Sequence, residues 1–101
     1  MKTVTKKDVS KRVAIMLGEK IYTTEKFVDS VFHAMREILC ETDEEIRIEI
    51  RDFGVFEVKN TRPKPKARNP RTGDIIYVPA RRKTHFKAGK ILKEYLKKPI
   101  E

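Results

Sequence analysis

The sequence predicts an α+β chain: two N-terminal helices, a three-stranded antiparallel sheet that extends into a β-ribbon arm, and a short C-terminal helix. Three observations carry that prediction. Apolar residues recur at helical spacing as far as Leu39, the period drops to two from Glu45, and between Thr61 and Pro70 there is almost nothing apolar to bury.

Thr5-Lys6-Lys7-Asp8 has the spacing of a capping box, with a short acid in place of the usual Glu. Val9, Val13, Met16 and Leu17 follow it at i, i+4, i+7 and i+8, and Gly18 offers a stop. Thr23-Thr24-Glu25 signals a second start, ahead of Phe27, Val28, Val31, Phe32, Met35, Ile38 and Leu39. Those positions exceed one narrow stripe, so the second helix is expected to be buried on two sides, one of them against another subunit. Cys40, beside Leu39, reads as a small residue near the core.

Ile46, Ile48 and Ile50 alternate with Arg47, Glu49 and Arg51, the pattern of a half-buried strand, after an acidic loop at Asp43-Glu44-Glu45. Asp52-Phe53-Gly54 is the turn and Val55-Phe56-Glu57-Val58 begins the return strand. A further β segment, Asp74-Ile75-Ile76-Tyr77-Val78, follows the turn-like run Asn69-Pro70-Arg71-Thr72-Gly73. Phe53, Phe56 and Phe86 read as core. The last helix is expected near Ala88 to Lys97, with Ile91, Leu92, Tyr95 and Leu96 inward. The coarse order is α-α-β-β-β-α, with no internal repeat.

The run Thr61–Pro70 is expected to project as an arm. If it is extended, alternate side chains share a face, and Arg62, Lys64, Lys66 and Arg68 form a row of cations opposite Pro63, Pro65, Ala67 and Asn69. Pro63 and Pro65 are two residues apart, so their missing N–H groups fall on one edge, which can be the unpaired outer edge of the ribbon. A Pro/Lys linker that orders only on binding is the competing reading.

A length of 101 residues suits one domain, 1–101, made of a helical dimerisation region at 1–44, a sheet at 45–86 with its arm at about 59–77, and a C-terminal helix at 87–101. The hydrophobic fraction, 39%, falls below the roughly 45–50% of an average domain, so the core is thin and a partner chain is expected. No stretch approaches the roughly 18 apolar residues of a membrane span, and the N-terminus has no apolar signal core, so the protein is expected to stay where it is made. One cysteine makes neither an internal disulfide nor, alone, a metal site, which fits a reducing interior.

Lys and Arg number 24 against 15 Asp and Glu, a net charge of +9. The charge is unevenly divided. Residues 1–56 carry 10 basic and 11 acidic side chains, net −1, whereas residues 57–101 carry 14 and 4, net +10. A near-neutral scaffold followed by a cationic surface suits a polyanion or an acidic membrane. Catalysis finds no support: there is no Gly-rich phosphate loop, no nucleophile with a His and acid partner, and no convergent carboxylate pair. His33 and His85 lack Cys or paired carboxylates at ligand spacing, so neither metal nor cofactor is expected.

Three motifs occur in order between residues 52 and 93: Asp52-Phe53-Gly54-Val55-Phe56-Glu57-Val58, Ala67-Arg68-Asn69-Pro70-Arg71-Thr72-Gly73, and Phe86-Lys87-Ala88-Gly89-Lys90-Ile91-Leu92-Lys93. Together they resemble the HU and integration host factor family of bacterial histone-like DNA-bending proteins. Ala80-Arg81-Arg82 is closer to the integration host factor branch. The chain departs from that pattern at Asp52 (commonly glycine) and Ala88 (often proline), in the longer first hairpin, and in the added Pro63 and Pro65.

The resemblance implies an intertwined dimer whose two arms reach around double-stranded DNA in the minor groove. It implies that Pro70 wedges between base pairs, that Arg68 and Arg71 hold phosphates or the groove floor, and that Asn69 shapes the tip turn. Arg62, Lys64 and Lys66 would line the arm, and Arg81, Arg82, Lys83, Lys87 and Lys90 would bind flanking DNA on the body. The implied partners are DNA and a second copy or a close paralogue, on the nucleoid in the cytoplasm, with no small-molecule substrate. From the residues alone, structured RNA stands as the alternative polyanion. An anionic membrane surface is a further alternative; it needs a basic amphipathic helix, for which Ala88–Lys97 qualifies only loosely, so no membrane partner is expected.

Overall fold

The computed structural model describes residues 1–41 and 44–100, so Asp43 of the acidic run and Glu101 of the C-terminal region lie outside the described residues. The chain divides into two compact units, Met1–Cys40 and Glu41–Glu101.

The first unit is a helix pair, α1 (Lys6–Leu17) and α2 (Ile21–Cys40). The capping box forms as its spacing predicts: the Asp8 N–H donates to Thr5 Oγ1 at 3.4 Å and Asp8 Oδ2 accepts from the Thr5 N–H at 3.0 Å. That hydrogen bond from the Thr5 backbone holds the Asp8 carboxyl below its ordinary value. Gly18 ends α1 in the left-handed region, φ 66°, with open space where a Cβ would stand, so conformation rather than room favours glycine there. The second helix starts at Ile21, two residues before Thr23, because Thr24 serves inside it: its hydroxyl donates to the Lys20 carbonyl at 2.9 Å instead of capping an end.

Burial in this unit falls on small residues one turn apart, Ser10 and Ala14 on α1, Thr24 and Val28 on α2, as suits two backbones in close approach. A Lys6–Asp29 ion pair at 3.3 Å joins the two helices. The bulky apolar residues are left outside. Val9, Met16, Leu17, Phe27, Val31, Phe32 and Ile38 are all exposed, and α2, expected to be covered on two sides, has its larger side chains open because a single neighbouring helix covers one stripe. Cys40, expected near the core, is exposed as the last residue of α2.

Among the described residues, the second unit holds five strands: β1 (Ile46–Ile50), β2 (Gly54–Asn60), β3 (Lys64–Arg68), β4 (Ile75–Val78) and β5 (Arg82–Ala88), followed by helix α3 (Lys90–Leu96). Strands β1, β2 and β5 form an antiparallel sheet in that order, and β3 and β4 form a separate two-stranded ribbon. The three β segments read from the sequence thus become five strands: the return limb of the arm breaks at Pro79, and β5 is a strand of its own. Glu45 ties the sheet's open end, its carboxylate accepting from the Asn60 N–H at 3.1 Å.

Register divides the sheet into two faces. Ile46, Ile48 and Ile50 lie opposite Val58, Phe56 and Gly54, which in turn face Thr84, Phe86 and Ala88, giving one largely apolar face. Phe53 and Phe56 pack on Phe86 with ring centroids 5.5 and 4.7 Å away. A Cβ on Gly54 would meet the Lys87 carbonyl oxygen at 2.5 Å and the Phe86 ring at 2.7 Å, so this packing requires glycine. The three rings make a cluster rather than an enclosed core: Phe53 and Phe86 keep 45% and 37% exposure, because a three-stranded sheet with a seven-residue helix is too small to enclose them.

Asp52 occupies the left-handed region at φ 62°, where glycine is at ease and Asp is tolerated. Helix α3 starts later than Ala88, which is still the end of β5, with Gly89 as its N-cap and the Gly89 N–H donating to the Phe53 carbonyl at 2.8 Å. Its apolar residues were expected inward. Leu92 alone is half-buried, while Ile91, Tyr95 and Leu96 are exposed, so no apolar face of this two-turn helix is enclosed.

Candidate nucleic-acid interface

The arm grows out of the sheet without a change of register. The β2/β5 ladder ends at Asn60 opposite Arg82, the Thr61 N–H donates to the Arg81 carbonyl at 2.7 Å, and the Arg81 N–H donates to Thr61 Oγ1 at 3.1 Å. The β3/β4 ladder begins at Lys64 opposite Val78, so three residues on each limb separate the ladders and Pro63 stands across from Pro79. Neither proline has an N–H to donate, which is why the sheet stops there and resumes beyond. Arg62 lies in this gap, exposed.

Beyond the gap the cation row is split. Lys64 faces Val78 but Ala67 faces Ile76, an advance of three residues on β3 against two on β4, so Pro65 and Lys66 together oppose Tyr77 in a β-bulge. Cross-strand partners share a face. Lys64, Ala67, Ile76 and Val78 therefore lie on one side, and Arg68 lies on the other with Ile75, Tyr77 and, by alternation, Lys66. The single face of four cations read from the sequence is corrected to two faces, because the bulge costs the alternation one step. Pro65 sits at the bulge, where no ladder hydrogen bond is asked of it.

The tip is built around Asn69. Its N–H donates to the Asp74 carbonyl at 2.8 Å, its carbonyl accepts from the Gly73 N–H at 2.7 Å, and its side-chain Oδ1 accepts from the Arg71 N–H at 2.9 Å. Thr72 Oγ1 accepts from the Asp74 N–H at 3.3 Å, and Gly73 takes the positive φ of 74° that closes the loop. Pro70 and Arg71 are thereby held at the extreme end of the ribbon, both exposed.

The body's cations meet on the second, polar face of the sheet. Val55, Glu57 and Lys59 on β2 lie opposite Lys87, His85 and Lys83 on β5, with Glu49 and Arg47 completing the row on β1. Glu57 is buried to 7% exposure at its centre and holds Lys87 Nζ at 3.1 Å and Lys59 Nζ at 3.3 Å. The hydrogen bond from Lys87, aided by Lys59 and opposed by desolvation, keeps its carboxyl below the ordinary value. Lys59 directly opposite Lys83 is a like-charge pair that stability alone disfavours.

Of the body residues named from sequence, Lys83 and Lys87 share this face. Arg81 belongs to the base of the arm, Arg82 lies opposite Asn60 on the other face, and Lys90 is the first residue of α3 and exposed. Sequence reading passed over Arg47 and Lys59. The alternation in β1 and β2 held the signal, since both occupy the phase opposite the apolar residues. Among the described residues, no group of three or more His, Cys, Asp or Glu could hold a metal, and no helix is long and apolar enough to cross a membrane.

The family model for bacterial DNA-binding proteins matches residues 4–97. This chain belongs to that family. Among curated members, the integration host factor subunit beta of Dechloromonas aromatica is 45% identical over 73 residues, covering 72% of this chain and 73% of the relative. That of Ralstonia nicotianae is 42% identical over 74 residues, covering 73% of this chain and 51% of the relative, so the chain spans about half of that relative's length. A cocrystal structure of Anabaena HU with DNA superposes with a TM-score of 0.77 at 23% identity, over 95% of this chain and 100% of that one, which establishes the HU-like fold. The bacterial DNA-binding family, which includes HU and integration host factor, consists of architectural proteins and not enzymes.

Proposed function

We propose that the chain binds double-stranded DNA as a dimer, lays its two arms in the minor groove, and bends the duplex by inserting Pro70 between base pairs, so organising the bacterial nucleoid. One observation carries this reading: a cationic ribbon ends in a loop, fixed by three hydrogen bonds to Asn69, that presents an exposed proline ring with Arg68 and Arg71 beside it. An apolar wedge between cations is what a kinked base step accepts. Arg62, Lys64 and Lys66 bring cations along the arm, and Lys59, Lys83, Lys87 and Arg47 give the bent flanks a basic surface to rest on. The Anabaena relative's crystallisation with DNA supports the same partner.

The dimer follows from what each unit leaves open. Val31, Phe27, Ile15, Met16 and Leu17 in the helical unit, and Ile91, Tyr95 and Leu96 on α3, form more exposed apolar surface than a solitary chain of this size tolerates. Residues 1–44 form the dimerisation region in this reading. Light scattering at micromolar concentration should give about twice the chain mass of 11.9 kDa. A folded monomer would remove the paired-arm mechanism.

Electrophoretic shifts on random, A·T-rich, nicked and four-way-junction DNA, at a stated salt concentration and with duplex RNA as competitor, test the function. Tighter binding to the nicked and junction forms, undisturbed by RNA, is the expected result. Equal affinity for all forms, or displacement by RNA, would overturn it.

A further inference from the structure

The polar face of the sheet presents four cations, Arg47, Lys59, Lys83 and Lys87, and three of them are already engaged by the chain's own carboxylates. Arg47 holds Glu49 at 3.1 Å, and Glu57 holds both Lys59 and Lys87. The two acids differ in kind. Glu49 and Arg47 keep 69% and 60% of their side chains exposed, so that pair opens readily to solvent, whereas the Glu57 side chain keeps 9%. Among the described residues Glu57 is the one buried charged side chain. It is fixed in the middle of the sheet, across from Arg47 on β1 and His85 on β5.

We propose that Glu57 is a built-in competitor of DNA: it occupies Lys59 and Lys87 in the free chain, and a duplex must draw both lysines away from it before this face neutralises phosphates. The proposal rests on the DNA-binding function above and deepens it, by naming the residue that limits the affinity of the body.

The asymmetry of burial carries the argument. Lys59 and Lys87 keep 60% and 56% of their side chains exposed, on flexible stems whose ammonium heads can swing outward, while the carboxylate between them cannot follow. An exposed ammonium leaves such a pair at little cost, at most about fivefold in an equilibrium constant. What stays behind is an anion beneath the phosphates, and it repels them. Without that charge, Lys59, Lys83 and Lys87 would lie on one face with no acid among them, and the like-charge pair of Lys59 with Lys83 would favour an outside anion. A Glu57 that served only to stabilise the sheet would predict the reverse dependence: its loss would lower the melting temperature and leave affinity alone.

The full chain, Glu57→Gln, Glu49→Gln, the double variant Lys59→Ala with Lys87→Ala, and the triple variant that adds Glu57→Gln to it are titrated against a fluorescent duplex at stepped KCl. Glu57→Gln adds one net positive charge per chain and two per dimer, so it should bind about tenfold tighter near 0.1 M KCl and steepen the slope of log K against log[salt] by about 1 to 2. Glu49→Gln changes net charge equally but opens a pair that is already exposed, and should stay within about threefold of its parent. With both lysines gone, adding Glu57→Gln should gain no more than about threefold, since no ammonium remains to be released. Glu57→Thr, which also removes the charge and suits a strand, repeats the measurement with a second side chain, and thermal melts show which variants are folded.

Parent-like or weaker binding by the folded Glu57 variants would make Glu57 a stabiliser of the sheet or a positioner of its lysines, and would overturn the proposal while leaving the DNA-binding function standing. An equal gain from Glu49→Gln, or an undiminished gain in the absence of the two lysines, would reduce the effect to net charge and equally overturn it. A parent that binds no duplex at all would overturn the function itself.

Discussion

Replacing Lys66 and Arg68 together by alanine takes both cations from one face of the arm while leaving the Asn69-centred tip intact. Each chain loses two charges, so a dimer loses four. If the dimer neutralises roughly 6 to 10 phosphates, log K falls with log[salt] at a slope of about −5 to −9, and removing four contacts at about 0.9 each should flatten it by about 3 to 4. The loss of affinity should be largest at low salt and fade toward about 1 M. Stability should hold within about 0.5 kcal/mol, because both side chains are exposed and the ribbon lies beyond the sheet. Lys64→Ala, on the opposite face, should change the slope by much less than half as much. Anisotropy titrations of a labelled duplex at stepped KCl, with a thermal melt of each variant, make the measurement. An unchanged slope, or a larger effect from Lys64, would refute phosphate contact by the Lys66 and Arg68 face of the arm.

Three further outcomes follow from the body of the second unit. Asp52→Gly relieves a left-handed residue at φ 62° and should stabilise the protein by about 0.5 to 1 kcal/mol, raising Tm by a few degrees in calorimetry. Gly54→Ala places a methyl group 2.5 Å from the Lys87 carbonyl and should cost about 1 to 3 kcal/mol in urea melts, since the obstacle is backbone. Glu57 has a folded-state pKa below its ordinary 4.5, so its contribution is present above that value and is lost as pH falls through the lowered one. Melting of the parent should therefore decline more steeply below about pH 4.5 than that of Glu57→Gln, and parallel curves would contradict the two-lysine clamp.

What could be read from sequence was what neighbours along the chain decide. Thr5 and Asp8 cap each other within four residues and Gly18 stops its own helix, so both were legible. Asn69, Pro70 and Gly73 form their turn from local preferences in the same way. The start of α2 was misplaced because Thr24 can cap or can donate backward, and residue type does not say which. Faces that depend on a partner strand were hidden. No local signal at Pro65 or Lys66 announces the bulge, since it exists only in the pairing of Ala67 with Ile76, and with it went the division of Lys64 from Arg68.

Alternation marks the phase of Arg47 and Lys59, but their meeting with Lys83 and Lys87 on one polar face was a product of pairing between β2 and β5, which are far apart in the chain. For Ile91, Tyr95, Leu96 and the outer residues of α2, apolarity was read as burial. They are exposed in the single chain, and the proposed dimer is what gives that apolarity a use.

Bending at Pro70 is the claim on which the account turns, and energy transfer between dyes at the two ends of a duplex measures it directly. The parent should shorten the end-to-end distance on binding. Pro70→Ala, which keeps Arg68, Arg71 and the Asn69 hydrogen bonds but removes most of the wedge, should bind straight duplex nearly as well and shorten it far less, because the few kcal/mol spent on unstacking no longer have a ring to stabilise the kink. Equal shortening by the two proteins would make Pro70 a turn residue only and contradict the mechanism.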